Sequence, residues 1–436
     1  MKTGSALLLT LLFITAVALM VGGLASRVVV GGRAVAARTD RAAALATAYA
    51  AVTRTRFRLS LSADWAASPP DALFTDEPFL TDGLYTVTLA ERTRDAVTAV
   101  IDARWRASRV LARARIRRNT DWWDFNWTRR RPIIITNSSS QDLVDYQVRI
   151  VVPRHQGMRA DYGDMRFVAG GSTLPCWVEY SDANSAVVWV RVPGIPANST
   201  ATVYLYYGNP SATGQSSFAA TMEPVYNCYP VSIPWTNRPD NNPYMRALRE
   251  GRTYTLPWRF PYWGQFKDEV YITTLGYLLF QPTPYQLLRN NSTDGMSSRQ
   301  MVAAFWDDTR ADVVFGVCEN PGVYVYQQND RLFIDWEVVH YLYWWRRVRA
   351  SMKFQVFLYR CGDIRLVRGV YGGRPSPTLG VSRGDGTYID ITGQWRTRTS
   401  WLFAQRKYVE PEPTAATGAE EYAATSVITD WTESHP

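Results

Sequence analysis

The best candidate carboxylate pair in the 436-residue chain is Asp307-Asp308, which follows Val302-Ala-Ala-Phe-Trp. Neighbouring strand residues point to opposite faces, so the two cannot work together as an acid–base dyad. A structural hydrogen-bonding turn is their expected role, and the alternative their oxygens allow is Ca²⁺, a hard cation, at a strand end. Asp161 and Asp164, which flank Tyr-Gly, form a weaker pair of the same kind. The run Tyr341-Leu-Tyr-Trp-Trp-Arg-Arg347 places Tyr343, Trp344, Trp345 and Arg346 side by side. So many rings in one run cannot all face a core, and exposed rings beside arginine suit a glycan or protein ligand. Only three histidines are present, one of them in the last two residues, which argues against multi-His metal centres and His-dependent triads. Arg383-Gly384-Asp385 spells an adhesion tripeptide but reads first as a hairpin turn.

The four cysteines allow three pairings. Two disulfides are expected in an exported chain, with Cys318–Cys361 and Cys176–Cys228 preferred. Asn126, Asn137, Asn198, Asn290 and Asn291 each open an Asn-x-Ser/Thr triplet, so they are glycosylation candidates if the host glycosylates its surface proteins.

Export is read from the N-terminus. Gly4 to Ser26 carries no charge, and 23 residues of helix span about 35 Å, enough for a bilayer core of about 30 Å. Two readings follow. A secretory signal peptide would be cut after Ala25. A leader cut between Gly4 and Ser5 would keep the apolar helix as a single membrane-spanning segment. The chain continues from Arg27 without proline, and Leu45, Ala48, Tyr49 and Val52 recur at helical spacing, so one helix is expected to end near Arg58.

The net charge is +9, and residues 27–131 carry 19 Arg against 11 Asp and Glu. No nucleic-acid motif accompanies these arginines, so nucleic acid is not an expected partner. In Ser108–Arg118, Val110, Ala112, Ala114 and Ile116 alternate with Arg109, Arg113, Arg115 and Arg117, the pattern of a strand with one solvated face. Regular short strand-like runs separated by polar turns fill the rest of the chain, and aromatic residues make up 13% of it. The tail from Glu410 has six acids, no Lys or Arg and no hydrophobic period, which predicts disorder.

Three resemblances organise these observations. The apolar leader, long helix and short sheet of residues 1–118 resemble type IV pilins and pseudopilins. Their fifth mature residue is usually Glu, but here that position is Leu9, which fits a minor or tip subunit better than a major one. The series Trp127-Thr-Arg-Arg-Arg-Pro-Ile, Asp145-Tyr146-Gln147-Val148, Leu174-Pro175-Cys176-Trp177-Val178-Glu179, Val188-Trp189-Val190-Arg191-Val192-Pro193 and Tyr204-Leu-Tyr-Tyr-Gly-Asn-Pro210 resembles a prokaryotic surface β-sandwich domain of unknown function. Cys176 stands where that family usually has Tyr. Finally, Tyr254–Gly264, Ala303-Ala-Phe-Trp-Asp-Asp308 and Gly380-Val-Ser-Arg-Gly-Asp-Gly386 resemble the nidogen-like extracellular domain, which is non-catalytic and adhesive.

The expected architecture is mainly β. It comprises a leader and helix (1–58), a small pilin-type sheet (59–120), two β-sandwich domains (121–221 and 222–409) and an acidic disordered tail (410–436). The expected function is that of a non-enzymatic cell-surface, pilin-like subunit without a cofactor, Ca²⁺ apart. It would contact other pilin-like subunits, the inner membrane before assembly, and a surface glycan or protein. The alternative is a secreted or membrane-anchored carbohydrate-active or carbohydrate-binding protein with a cleaved signal peptide.

Overall fold

The computed structural model describes residues 32–60, 65, 71–93, 95–118, 121–247, 249–281, 292–311, 318, 320–341, 349–371, 376–394 and 399–434. The apolar stretch Gly4–Ser26, including the processing candidates Gly4 and Ser5, lies outside them. Among the described residues no helix is long and apolar enough to cross a membrane.

Helix α1 (Gly32–Ser60) lies against a meander of β1 (Ala72–Phe79), β2 (Gly83–Ala90), β3 (Ala96–Trp105) and β4 (Ser108–Arg118). Ala44, Ala48, Ala51, Val52 and Leu59 form its buried stripe, and their small side chains let the helix sit close to the sheet. Buried Thr55 returns its hydroxyl to the Ala51 carbonyl. The stripe is rotated from the expected one, and Tyr49 faces outward, 45% exposed. Three alanines let the helix approach along a face that a large phenol would hold off. In β4 the alternation holds as expected, with Val110, Ala112, Ala114 and Ile116 buried and Arg109, Arg113 and Arg117 exposed. Asp102 on β3 receives both Arg104 and Arg109, a surface network of small energetic weight.

The first sandwich is built from β5 (Arg129–Asn137), β6 (Leu143–Pro153), β7 (Arg166–Ala169), β8 (Ser172–Thr173), β9 (Cys176–Ser181), β10 (Ser185–Ile195) and β11 (Ser199–Tyr207). One sheet runs β5-β11-β7-β8 and the other β6-β10-β9. Alternate residues of both meet in a core containing Ile133, Ile135, Val148, Ile150, Val188, Val190, Val203 and Leu205. Helix α2 (Phe218–Thr221), capped by the Ser217 side chain, leads into the second sandwich.

That sandwich stacks two sheets. The first runs β12 (Asn227–Val231), β24 (Ser400–Ala404), β21 (Ile364–Tyr371), β20 (Arg349–Tyr359), β19 (Arg331–Tyr341) and β17 (Thr309–Arg310), with β18 (Gly322–Gln327) also paired to β19. The second runs β13 (Gly251–Tyr262), β14 (Gln265–Thr273), β15 (Tyr277–Leu279), β16 (Gln300–Trp306), β22 (Thr378–Arg383) and β23 (Tyr388–Asp390). Rings dominate the core. Trp336 stacks on Phe354, and Phe354 on Phe305. Gly276 turns the chain between β14 and β15 with φ +77°. A Cβ there would lie 2.3 Å from the Phe305 carbonyl oxygen, so only glycine fits.

The largest departure from expectation is the acidic tail, which is ordered. β25 (Thr414–Thr417) and β26 (Glu421–Tyr422) pair with β5, and β27 (Ala424–Ser434) adds itself to β4 as the fifth strand of the N-terminal sheet. The chain end therefore passes the first sandwich and closes on the helix–sheet unit. Arginines hold it. Arg130, 3% exposed, bonds Glu421 and Asp121 and packs on Trp122 and Tyr204. Arg131 donates to the Gly418 carbonyl, Arg129 pairs with Glu420, and Tyr207 donates to the same carboxylate. A segment with no hydrophobic period folds because β5 and β4 offer open edges and the arginines neutralise its acids.

Candidate functional site: a cleft where the two sandwiches meet

The sequence-predicted positions scatter. Tyr343, Trp344, Trp345 and Arg346 lie outside the described residues, as do Asn290 and Asn291. Asp307, 7% exposed, accepts from the Asp308 and Ser376 backbone N–H groups, and Asp308 forms a two-oxygen ion pair with Arg249. The pair therefore ties a strand end to neighbouring loops, and its carboxylates are engaged by protein donors. Asp161 is likewise paired with Arg159. Among the described residues no group of three or more His, Cys, Asp or Glu could hold a metal. Arg383 pairs with Asp385 across the Gly384 turn.

All four cysteines are free thiols, which corrects both expected disulfides. Cys318 lies beside Glu337 and Ser351, whereas Cys361 is buried with Trp177, Trp189, Phe218 and Met222 between the sandwiches. Cys176 belongs to the first core and Cys228 packs on the second. Burial pushes the thiol pKa of Cys318 and of Cys176 up to about 11 and that of Cys228 up to about 12. Asn137 is also corrected as a glycosylation candidate. It is 1% exposed, and its amide nitrogen donates to the carbonyls of Gln141, Ile195 and Pro196. Asn126 and Asn198 are exposed.

Residues far apart in sequence converge at the junction. On the outer face of the β6-β10-β9 sheet, Trp177 and Trp189 sit in direct register. Phe218, Met222 and Cys361 cover them, and the Trp177 and Phe218 rings meet edge to face. Beneath, Arg406 and Asp363 form a buried ion pair at 2.8 Å, each side chain 4% exposed, and Arg406 also reaches Glu412 and stacks on Trp189. Burial alone would lower the Arg406 pKa, but the two carboxylates outweigh it and raise the value well above normal. Gln147 of the first sandwich accepts from the Lys407 backbone N–H. This packing holds the two sandwiches against each other.

At the edge of this contact a cleft of about 210 Å³ remains open. Trp177, Trp258 and Phe266 supply its apolar walls, and Arg259, Arg360 and Glu179 its charges. The Arg360 guanidinium lies between Tyr180, at 4.4 Å, and Trp258, at 5.1 Å. Arg259 lies over Phe266 and pairs with Asp268, both charged side chains 68% exposed. Glu179 accepts from Trp189 Nε1 at 2.7 Å, and burial, the larger effect, raises its carboxyl pKa. Trp258 Nε1 and Arg360 Nε are buried donors without a protein acceptor among the described residues. No single motif could have revealed this site, because its residues come from three strands, β9 (Trp177–Glu179), β13 (Trp258, Arg259) and β14 (Phe266), and from the turn after β20 (Arg360).

The family comparisons agree with this division. Residues 161–227 match the family described as "Domain of unknown function (DUF2341)", and residues 233–426 match the family described as "NIDO related". The first match falls in the first sandwich and starts 40 residues later than the expected domain. The second covers the nidogen-like sandwich and continues into the returning C-terminal strands. No curated protein and no solved structure matches the chain.

Proposed function

We propose that this is a non-enzymatic cell-surface protein, a minor or tip pilin-like subunit that presents two β-sandwiches to a surface glycan or protein ligand. The observation that carries the reading is the path of α1. It starts six residues after an uncharged 23-residue stretch and lies, without interruption to Ser60, across a small antiparallel sheet. In this reading Gly4–Ser26 spans the inner membrane before assembly and packs with other pilin-like subunits afterwards. The sandwiches project outward as a single tied body, and the junction cleft is the ligand site. The cleft equally suits a carbohydrate-binding protein released or anchored by other means, so the leader separates the two readings. Shearing filaments from cells tests the proposal: the protein is expected in the sheared fraction and accessible to antibody on intact cells. Recovery only as soluble secreted protein would overturn it.

A further inference from the structure

The junction cleft is an open cavity with charged and aromatic walls, in which Trp258 Nε1 and Arg360 Nε find no protein acceptor among the described residues. At about 210 Å³ it is smaller than the ~300–1,000 Å³ pockets that enclose drug-sized ligands, so it admits a single ring instead of an extended molecule. Its apolar surface comes from indole and phenyl groups, whose faces pack against the C–H face of a pyranose. Its charged surface comes from the Glu179 carboxylate and two guanidiniums, and guanidiniums match a carboxylate in the planar, two-pronged manner that lysine cannot. Arg149 reaches Glu179 at 4.0 Å and leaves the rim with more positive than negative charge.

The surface outside the cleft extends the same chemistry. Val151, Val187 and Tyr180 lie in one register row across the β6-β10-β9 sheet. Val151 is 50% and Tyr180 41% exposed, and Tyr180 carries the Arg360 stack into the cleft. One sugar unit can therefore sit in the cleft while the next lies on the valine–tyrosine row. A protein partner would instead need about 800 Å² of complementary surface per side, which a ring-sized cleft does not supply.

We propose that the junction cleft binds an acidic saccharide unit of a surface polysaccharide. Its ring would pack on Trp258 and Phe266, and its carboxylate would lie between Arg259 and Arg360. This deepens the ligand reading above and rests on it. The test is titration of the detergent-solubilised full chain with trigalacturonate and with its methyl ester, which keeps the rings and removes the charge, read by calorimetry. The acid is expected to bind, the ester at least about tenfold more weakly, and affinity for the acid to fall with added salt. R259S alters an exposed side chain and should weaken the acid by a larger factor than the ester. W258A should weaken both. W258F, which keeps a ring in place, guards against loss of the fold, and matching thermal melts confirm it.

Equal binding of acid and ester overturns the charge assignment while leaving a surface-glycan role intact. Binding that a folded W258A leaves unchanged places the site elsewhere and overturns the inference. No binding of either sugar at millimolar concentration also overturns it, and the shearing experiment then decides the display role independently.

Discussion

Replacing Arg130 by methionine should loosen the C-terminal strands and destabilise the protein. The guanidinium sits 4% exposed, with Nε 2.6 Å from Glu421, Nη2 3.0 Å from Asp121 and Nη1 3.0 Å from the Tyr206 hydroxyl. Burial alone would lower its pKa, but the hydrogen bonds it donates to Tyr206, Glu421 and Asp121 outweigh this and raise it. Hydrogen bonds to a charged group contribute about 1.5–3 kcal/mol each. The full sum overstates the loss, because the Glu421 and Asp121 side chains are 38% and 63% exposed and regain water when the arginine goes. Tyr206 also keeps a partner, the Trp123 N–H. A net loss of about 3 kcal/mol follows. R130K, which keeps the charge but not the fork, should cost about half as much. Urea denaturation reads the stability. A Glu-specific protease reads the tail, whose Glu420 and Glu421 should be cut early in R130M and late in the wild type. If R130M keeps its urea midpoint and its tail stays protected, the arginine clamp does not hold the strands.

R406M should cost more, about 3–5 kcal/mol, because Asp363 would stay buried without its partner; an unchanged urea midpoint would show that the junction does not depend on the pair. Asp335 is buried beside Arg238 and Gln355, and burial pushes its pKa up to about 6. The native state therefore holds this proton more tightly than the unfolded one, so its contribution to stability falls as pH rises from about 4 to 6 and stays lost above that. D335N should flatten the urea-midpoint slope between about pH 4 and 6, whereas an unchanged slope would place the titration elsewhere. A thiol reagent should find four thiols in the denatured, unreduced chain and react slowly with the native one; two or none after denaturation would restore a disulfide.

Strands were legible wherever a sheet has one wet face. In β4 the alternation of arginines with small apolar residues fixed both the strand and its orientation before any contact was known. The Ala–Tyr stretch of α1 was legible as helix but not in its facing, because alanine carries too little hydrophobic signal to show which stripe packs. Thr414–Ser434 was illegible by periodicity, since its strands are made by partner edges far back in the chain. A signal was present in the charges: six acids at the end face an arginine-rich stretch of residues 27–131. The cleft was hidden for another reason, as it exists only once two sandwiches dock through Trp189, Arg406 and Asp363.

The claim of a kept N-terminal helix carrying an outward display body stands on where the leader is cut. Mass spectrometry of the N-terminal peptide from protein isolated from its own cells reads this directly. The account predicts a mature chain beginning at Ser5, with Gly4 removed and the apolar stretch retained. A chain beginning at Ser26 would contradict it.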